Sequence, residues 1–252
     1  MNNKEVPQPP EQLVTLEEKA LTTFFGKEIV VPQPPAELFH TLEALNKLGI
    51  SKIELHYLPQ TVLKRNERLP GWKVKPVSWF WRQIEIGKIA EDSATLRKGW
   101  YLLDGRGKPN YQGGKQMYED DYLGPLIQDL RETGKIHKYP HMPDNSRFGA
   151  SPYEIEWIIL PEFAKLIKTS GRVRNMREIE FNVWGNIFHP EWGQSNTWEW
   201  FADKFGDNYR LAGGDYKKGG LADVGRSWYM GHGGHMLVTI GFRPLVVFPP
   251  KA

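Results

Sequence analysis

Eight of the 28 residues from Gly213 to Ile240 are glycine, against 25 in the 252 residues of the whole chain. Each glycine costs a helix roughly 1 kcal/mol relative to alanine, so this stretch is closed to regular helix and must be carried by whatever folds around it. The rest of the chain has the material for a scaffold. It is 40% hydrophobic and 13% aromatic, with ten Trp, which excludes disorder throughout. There is no cysteine, which excludes disulfides, thiolate-ligated zinc or iron–sulfur sites, and thiol nucleophiles.

The net charge is +3 from 33 basic and 30 acidic residues, spread along the chain rather than in a stripe, so no nucleic-acid partner is expected. No apolar run approaches 18 residues, and Met1 to Leu13 lacks the basic and apolar regions of a secretory signal. The expectation is a soluble protein without a membrane partner, cytoplasmic at synthesis, with virion or surface association left open.

Two similar pieces, Val6-Pro7-Gln8-Pro9-Pro10 and Val31-Pro32-Gln33-Pro34-Pro35, bracket an amphipathic stretch from Leu13 to Phe25, and residues 1–35 read as a Pro-rich arm. Leu38, Leu42, Leu45 and Leu48 fall at helical spacing before Gly49. A strand is expected over Lys52 to Leu58, and further strands over Val77 to Ile86 and Gly99 to Leu103. Helices are expected over Tyr122 to Thr133 and Pro152 to Lys168, the second shortened or kinked by Pro161. Leu245 to Phe248 reads as a buried closing strand.

Several groups of residues suggest chemistry. His232 and His235, with His189 or Asp223 as a third donor, have the composition of a metal site, although exposed histidines in a Gly-rich loop are the simpler reading. Glu178 with Glu180, or Glu191 with Glu199, lie among tryptophans as glycosidase carboxylates do. Glu119, Asp120 and Asp121 precede a helix, where negative charge suits the positive end of the dipole.

Four motifs in the last third of the chain carry a resemblance. Arg174 to Phe181 (R-N-M-R-E-I-E-F) resembles the "R-L-P-T-E-A-E-W-E" helix start of formylglycine-generating-enzyme-like proteins of the C-type-lectin fold. Ser195 to Trp200 (S-N-T-W-E-W) resembles their "G-N-V-W-E-W" element, Arg210 to Gly214 their "R-G-G-S" strand, and Gly241-Phe242-Arg243 their closing "G-F-R". The resemblance implies an α+β, C-type-lectin-like fold with helices packed around small antiparallel sheets: one domain over residues 36–252, its sheet and loop core over 171–252. Formylglycine-generating members use cysteines, so that oxidase chemistry is excluded. In folds of this type the neighbouring Asn and Glu hold a structural calcium, which makes Asn196 and Glu199 candidate ligands and calcium the one candidate cofactor. A salt bridge from Glu199 to Arg243 or Arg210 is the simpler alternative.

Within this fold the chain most resembles the variable proteins of diversity-generating retroelements, through Gly219-Gly220-Leu221-Ala222 and the later Gly241-Phe242-Arg243-Pro244-Leu245. That implies a fixed framework around a diversified binding segment, residues 213–240, and a non-catalytic protein. The segment mixes aromatic anchors with adaptable polar groups, as binding loops do: Tyr216, Asp223, Gly225, Arg226, Ser227, Trp228, Tyr229, Met230, His232, His235, Met236, Leu237 and Thr239 are the candidate contacts for a protein or other macromolecular ligand, with Trp228 and Tyr229 as anchors. An ordinary surface loop is the bland alternative. A carbohydrate-active protein, lectin or glycoside hydrolase, is the second functional reading, and a virion or tail component docked through residues 1–35 the third.

Overall fold

The computed structural model describes residues 10–49, 52–108, 118, 120–140, 142–229 and 237–250. The chain is α+β. It opens with α1 (Pro10–Phe25) and α2 (Ala36–Lys47). The stretch read as an arm is docked from α1 onward: Val14, Leu21, Phe24 and Phe25 join one hydrophobic cluster that runs on to Phe248. The Gly71 amide donates to the carbonyl of Phe24, and a Cβ at Gly71 would collide with the α1 backbone. The second Pro-rich piece is held by the Trp100 indole, which donates to Pro32 O at 3.1 Å.

The next strands are β1 (Ile53–Leu58), β2 (Thr61–Val62), β3 (Thr95–Leu96) and β4 (Gly99–Asp104). Between them lies α3 (Ser78–Glu85), where a strand over Val77 to Ile86 is expected; the structure corrects that expectation. Aromatic residues favour strands on average, but Phe80, Trp81 and Ile84 repeat with helical period, and Phe80 and Trp81 are buried against the core. Tertiary packing overrides the propensity there.

Further helices are α4 (Gly124–Glu132), α5 (Pro152–Glu154), α6 (Leu160–Ile167) and α7 (Glu178–Ile187). A π-helical turn, Ile155–Ile159, joins α5 to α6. Pro161 cannot donate to the carbonyl four residues back and its ring crowds it; the widened turn just before it absorbs that conflict, and the helix continues. The start of α5 is fixed by a capping box between Ser151 and Glu154.

Two four-stranded sheets organise the body, built with β5 (Arg172–Asn175), β6 (Trp198–Phe205), β7 (Tyr209–Gly213), β8 (Val224–Trp228), β9 (Ile240–Gly241) and β10 (Pro244–Phe248). The first has the order β1-β4-β10-β5 and is antiparallel throughout. The second has the order β8-β7-β6-β9, with β6 and β9 parallel. Residues 171–252 contain the whole of the second sheet, while the first is shared with the earlier chain: β10 lies between β4 and β5. Part of the glycine-rich stretch is regular after all. Residues Val224 to Trp228 form the edge strand β8 beside β7, and Gly213 lies where any side chain would strike the carbonyl of Asp223. Among the described residues no helix is long and apolar enough to cross a membrane.

Candidate functional site

The second sheet meets the π-helical turn through an ion pair. Arg210, on β7, donates through Nε and Nη2 to the two carboxylate oxygens of Glu156 at 2.6 and 2.8 Å. Its guanidinium lies over the ring of Tyr229, 4.1 Å from the centroid. The Tyr229 hydroxyl accepts the Trp157 indole N–H at 2.6 Å and donates to Glu156 at 3.3 Å. Tyr153 packs edge-on against Tyr229 at 6.0 Å. Trp157 is 66% exposed, so an indole at the surface is held in one orientation by a tyrosine that is itself clamped. Trp157 and Tyr153 were missed by sequence reasoning because their helix reads as a core element; Trp157 falls off the apolar stripe of Ile155, Ile158 and Ile159, which is the signal that finds it.

The other expected contacts are distributed unevenly. Tyr216 is 51% exposed in a short 3-10 turn, and Arg226 projects outward on β8 and stacks over Phe205 and Tyr209. Gly225 is half-buried and Thr239 likewise. Ser227 and Asp223 are buried. Asp223 accepts from the Asp215 amide at 3.0 Å, and burial pushes its pKa up to about 6. Trp228 and Leu237 are placed by backbone alone, in β8 and in the turn before β9. Met230, His232, His235 and Met236 lie outside the described residues.

Of the partners open to Glu199, the structure has Arg243, which donates to its two oxygens at 2.9 and 3.2 Å and stacks on Trp192 at 4.2 Å. Both residues are buried. Burial opposes charge on Glu199, and Arg243 with the buried Lys108 overcomes this and holds its carboxyl below the ordinary range. Lys108 itself donates to the carbonyls of Thr197 and Gly214. A calcium ion at Asn196 and Glu199 would have to displace a stacked guanidinium beside a buried ammonium, so this donor set does not fit that ion.

The carboxylates weighed for glycosidic chemistry are also built into the scaffold. Glu180 is buried between Arg174 and Arg177, and Glu178 is fully buried, its pKa pushed well up by burial and by Asp203. Asp121 pairs with Arg147 at 2.7 Å and accepts the Leu123 amide ahead of α4; Glu119 lies outside the described residues.

His189 is placed elsewhere than expected. It follows α7 and approaches β1, where alternation sets Glu54 and His56 on one face. Glu54 Oε2 lies 3.0 Å from His56 Nε2 and 2.6 Å from His189 Nε2. His56 Nδ1 meets Glu17 at 2.7 Å and His189 Nδ1 meets Glu191 at 3.1 Å. Burial disfavours charge on His56, but Glu17 and Glu54 outweigh it and hold its pKa up to about 9. The Glu54-x-His56 spacing within an expected strand was the available signal. Comparison of the chain with family models, with curated proteins and with solved structures finds no match.

Proposed function

We propose that this chain is a non-catalytic ligand-binding protein with a C-type-lectin-like fold, most like the variable proteins of diversity-generating retroelements, and that it grips a protein or other macromolecule through the surface around Tyr229 and β8. Two features support the fold. The W-E-W element is β6, inside the second sheet, and its Glu199 meets Arg243 of the G-F-R element. The G-F-R-P-L stretch leads directly into β10, the strand that closes the first sheet.

The observation that carries the binding role is the exposed Trp157, oriented in advance by the hydroxyl of Tyr229. Aromatic side chains that are already ordered lose little freedom on binding, and they dominate interface energetics when they become central to a contact. The decisive experiment is to read the DNA flanking the gene for a near-copy of the codons for residues 213–245, and to resequence the gene from many cells. Differences confined to adenines of that near-copy are expected; an invariant gene without one removes the retroelement assignment.

A flat exposed indole also suits the face of a sugar, which keeps the carbohydrate reading as second. It predicts saccharide-dependent quenching of tryptophan fluorescence that Trp157→Ala abolishes. Its hydrolytic form needs an accessible carboxylate pair, whereas Glu178, Glu180 and Glu199 are buried and Glu191 is bonded to His189.

A further inference from the structure

We propose that Glu54, His56 and His189 form a binding site for one borderline divalent transition metal ion of the Zn²⁺ or Co²⁺ class. The site is independent of the aromatic platform and of the role proposed for it. Its three donor atoms, two imidazole Nε2 and one carboxylate oxygen, lie within 4.8 Å of one another. Donors bound to a tetrahedral zinc at about 2.0–2.2 Å stand roughly 3.3 Å apart, so separations of 2.6 and 3.0 Å to Glu54 Oε2 need only a small expansion to admit the ion.

The surroundings match what a metal-binding histidine requires. Such a histidine turns its other ring nitrogen to a carboxylate or carbonyl, which fixes the tautomer and makes the ligating nitrogen more basic. Both rings here do so: His56 Nδ1 faces Glu17 and His189 Nδ1 faces Glu191. Glu17 is itself buried and anchored by the Tyr57 amide at 3.2 Å. Without a metal each Nε2 shares a proton with Glu54; an ion that replaces those protons leaves each Nδ1–H donated outward and turns each Nε2 lone pair inward. Two imidazole nitrogens and one carboxylate oxygen then converge on the ion from three directions.

Both rings are held in position by stacking, His56 on Phe188 at 4.1 Å and His189 on Trp192 at 4.2 Å. The Glu54 carboxylate fills space against Gly105, where any Cβ would collide with it. Lys52 reaches its other oxygen, Oε1, at 3.3 Å and leaves Oε2 to the histidines. The Glu54 side chain is 20% exposed and that of Glu191 40%, so the site opens to solvent on the carboxylate side. Three protein donors leave coordination positions for water or an outside ligand.

The test uses the full chain, treated with chelator and dialysed, and titrated with Co²⁺ or Zn²⁺ alone. One equivalent is expected to bind, with the intense visible absorption of tetrahedral or five-coordinate Co²⁺. His189→Gln and Glu54→Gln should each weaken binding by at least tenfold while circular dichroism stays native. Glu191→Gln, which leaves all three ligands in place, should weaken it about 10- to 100-fold. His232→Ala with His235→Ala should leave the stoichiometry and affinity unchanged. Wild-type protein that takes up no equivalent, folded His189→Gln and Glu54→Gln variants that bind as tightly as wild type, or loss of binding in the His232/His235 variant would each overturn the proposal.

Discussion

One unit recurs among the described residues, and two copies of it contrast, one in the interior and one beside an edge strand. In each, an arginine grips a glutamate with two hydrogen bonds and lays its guanidinium over an aromatic ring: Arg243 with Glu199 and Trp192 in the core, Arg210 with Glu156 and Tyr229 beside β8. The chemistry is matched to about 0.1 Å in the stacking, 4.2 against 4.1 Å. The difference is solvent. Glu199 is 1% exposed and Glu156 25%, so the inner unit ties the two sheets together out of reach of water, while the outer one orients a ring at the surface. Arginine suits both uses because its planar fork stays charged at any relevant pH.

The comparison breaks if the inner unit proves dispensable. Arg243→Ala leaves Glu199 buried without its hydrogen-bonding partner, with only the charge of Lys108 to offset it, and should cost about 3–5 kcal/mol in urea unfolding. It also removes the donor to the carbonyls of Asp104 and Arg106, so lysine should not rescue it. A loss under about 1 kcal/mol would show that the interior pair is not what holds the sheets in register.

Acid sharpens the contrast between clamped and unclamped carboxylates. Burial opposes charge on Glu180, but Arg174 and Arg177 hold its pKa down to about 2. Its stabilising contribution is complete above the ordinary 4.5 and is lost as pH falls toward 2. Asp223, which burial raises to about 6, runs the other way: its contribution is complete below 3.8 and is lost as pH rises through 6. Urea midpoints followed across this range should show a shallower acid limb in Glu180→Gln, Glu199 supplying part of what is left, and a shallower decline toward 6 in Asp223→Asn. Unchanged limbs would mean that neither group feels the neighbours assigned to it.

At the surface the effects shrink. Arg210→Ala should cost about 1–2 kcal/mol, since the pair is half screened yet hydrogen-bonded at both nitrogens. Its clearer readout is the red shift and faster depolarisation of Trp157 fluorescence once Tyr229 is released. Trp157→Ala should leave stability within about 0.5 kcal/mol of wild type, and a larger loss would reassign the indole to the scaffold.

Much of this arrangement was legible in local pattern. The strands of Lys52 to Leu58, Gly99 to Leu103 and Leu245 to Phe248 show themselves by apolar runs between breakers, and the helices of Ala36 to Leu48 and Tyr122 to Thr133 by period. The face that Glu54 and His56 share follows from strand alternation alone. What local pattern does not carry is the partner from across the fold: His189 reaches Glu54 over 135 positions and Arg243 reaches Glu199 over 44. For Glu199 two arginines were chemically equal candidates, and only the path of the chain separates them. The misread helix at Ser78 to Glu85 has the same origin, because its aromatic residues satisfy a strand's preferences until the surface they pack against is known.

The position of β10 has a consequence for how the protein is made. Residues Pro244–Phe248 leave the ribosome after the other described strands yet fill the gap between β4 and β5. A nascent chain halted anywhere before them carries two unzipped backbone edges facing each other, and cannot seal by local rearrangement. Any premature stop or shift of reading frame inside the glycine-rich stretch is thereby exposed as an unfinished molecule, open to proteolysis, while an in-frame change of side chains at the edge strand leaves that final closure untouched.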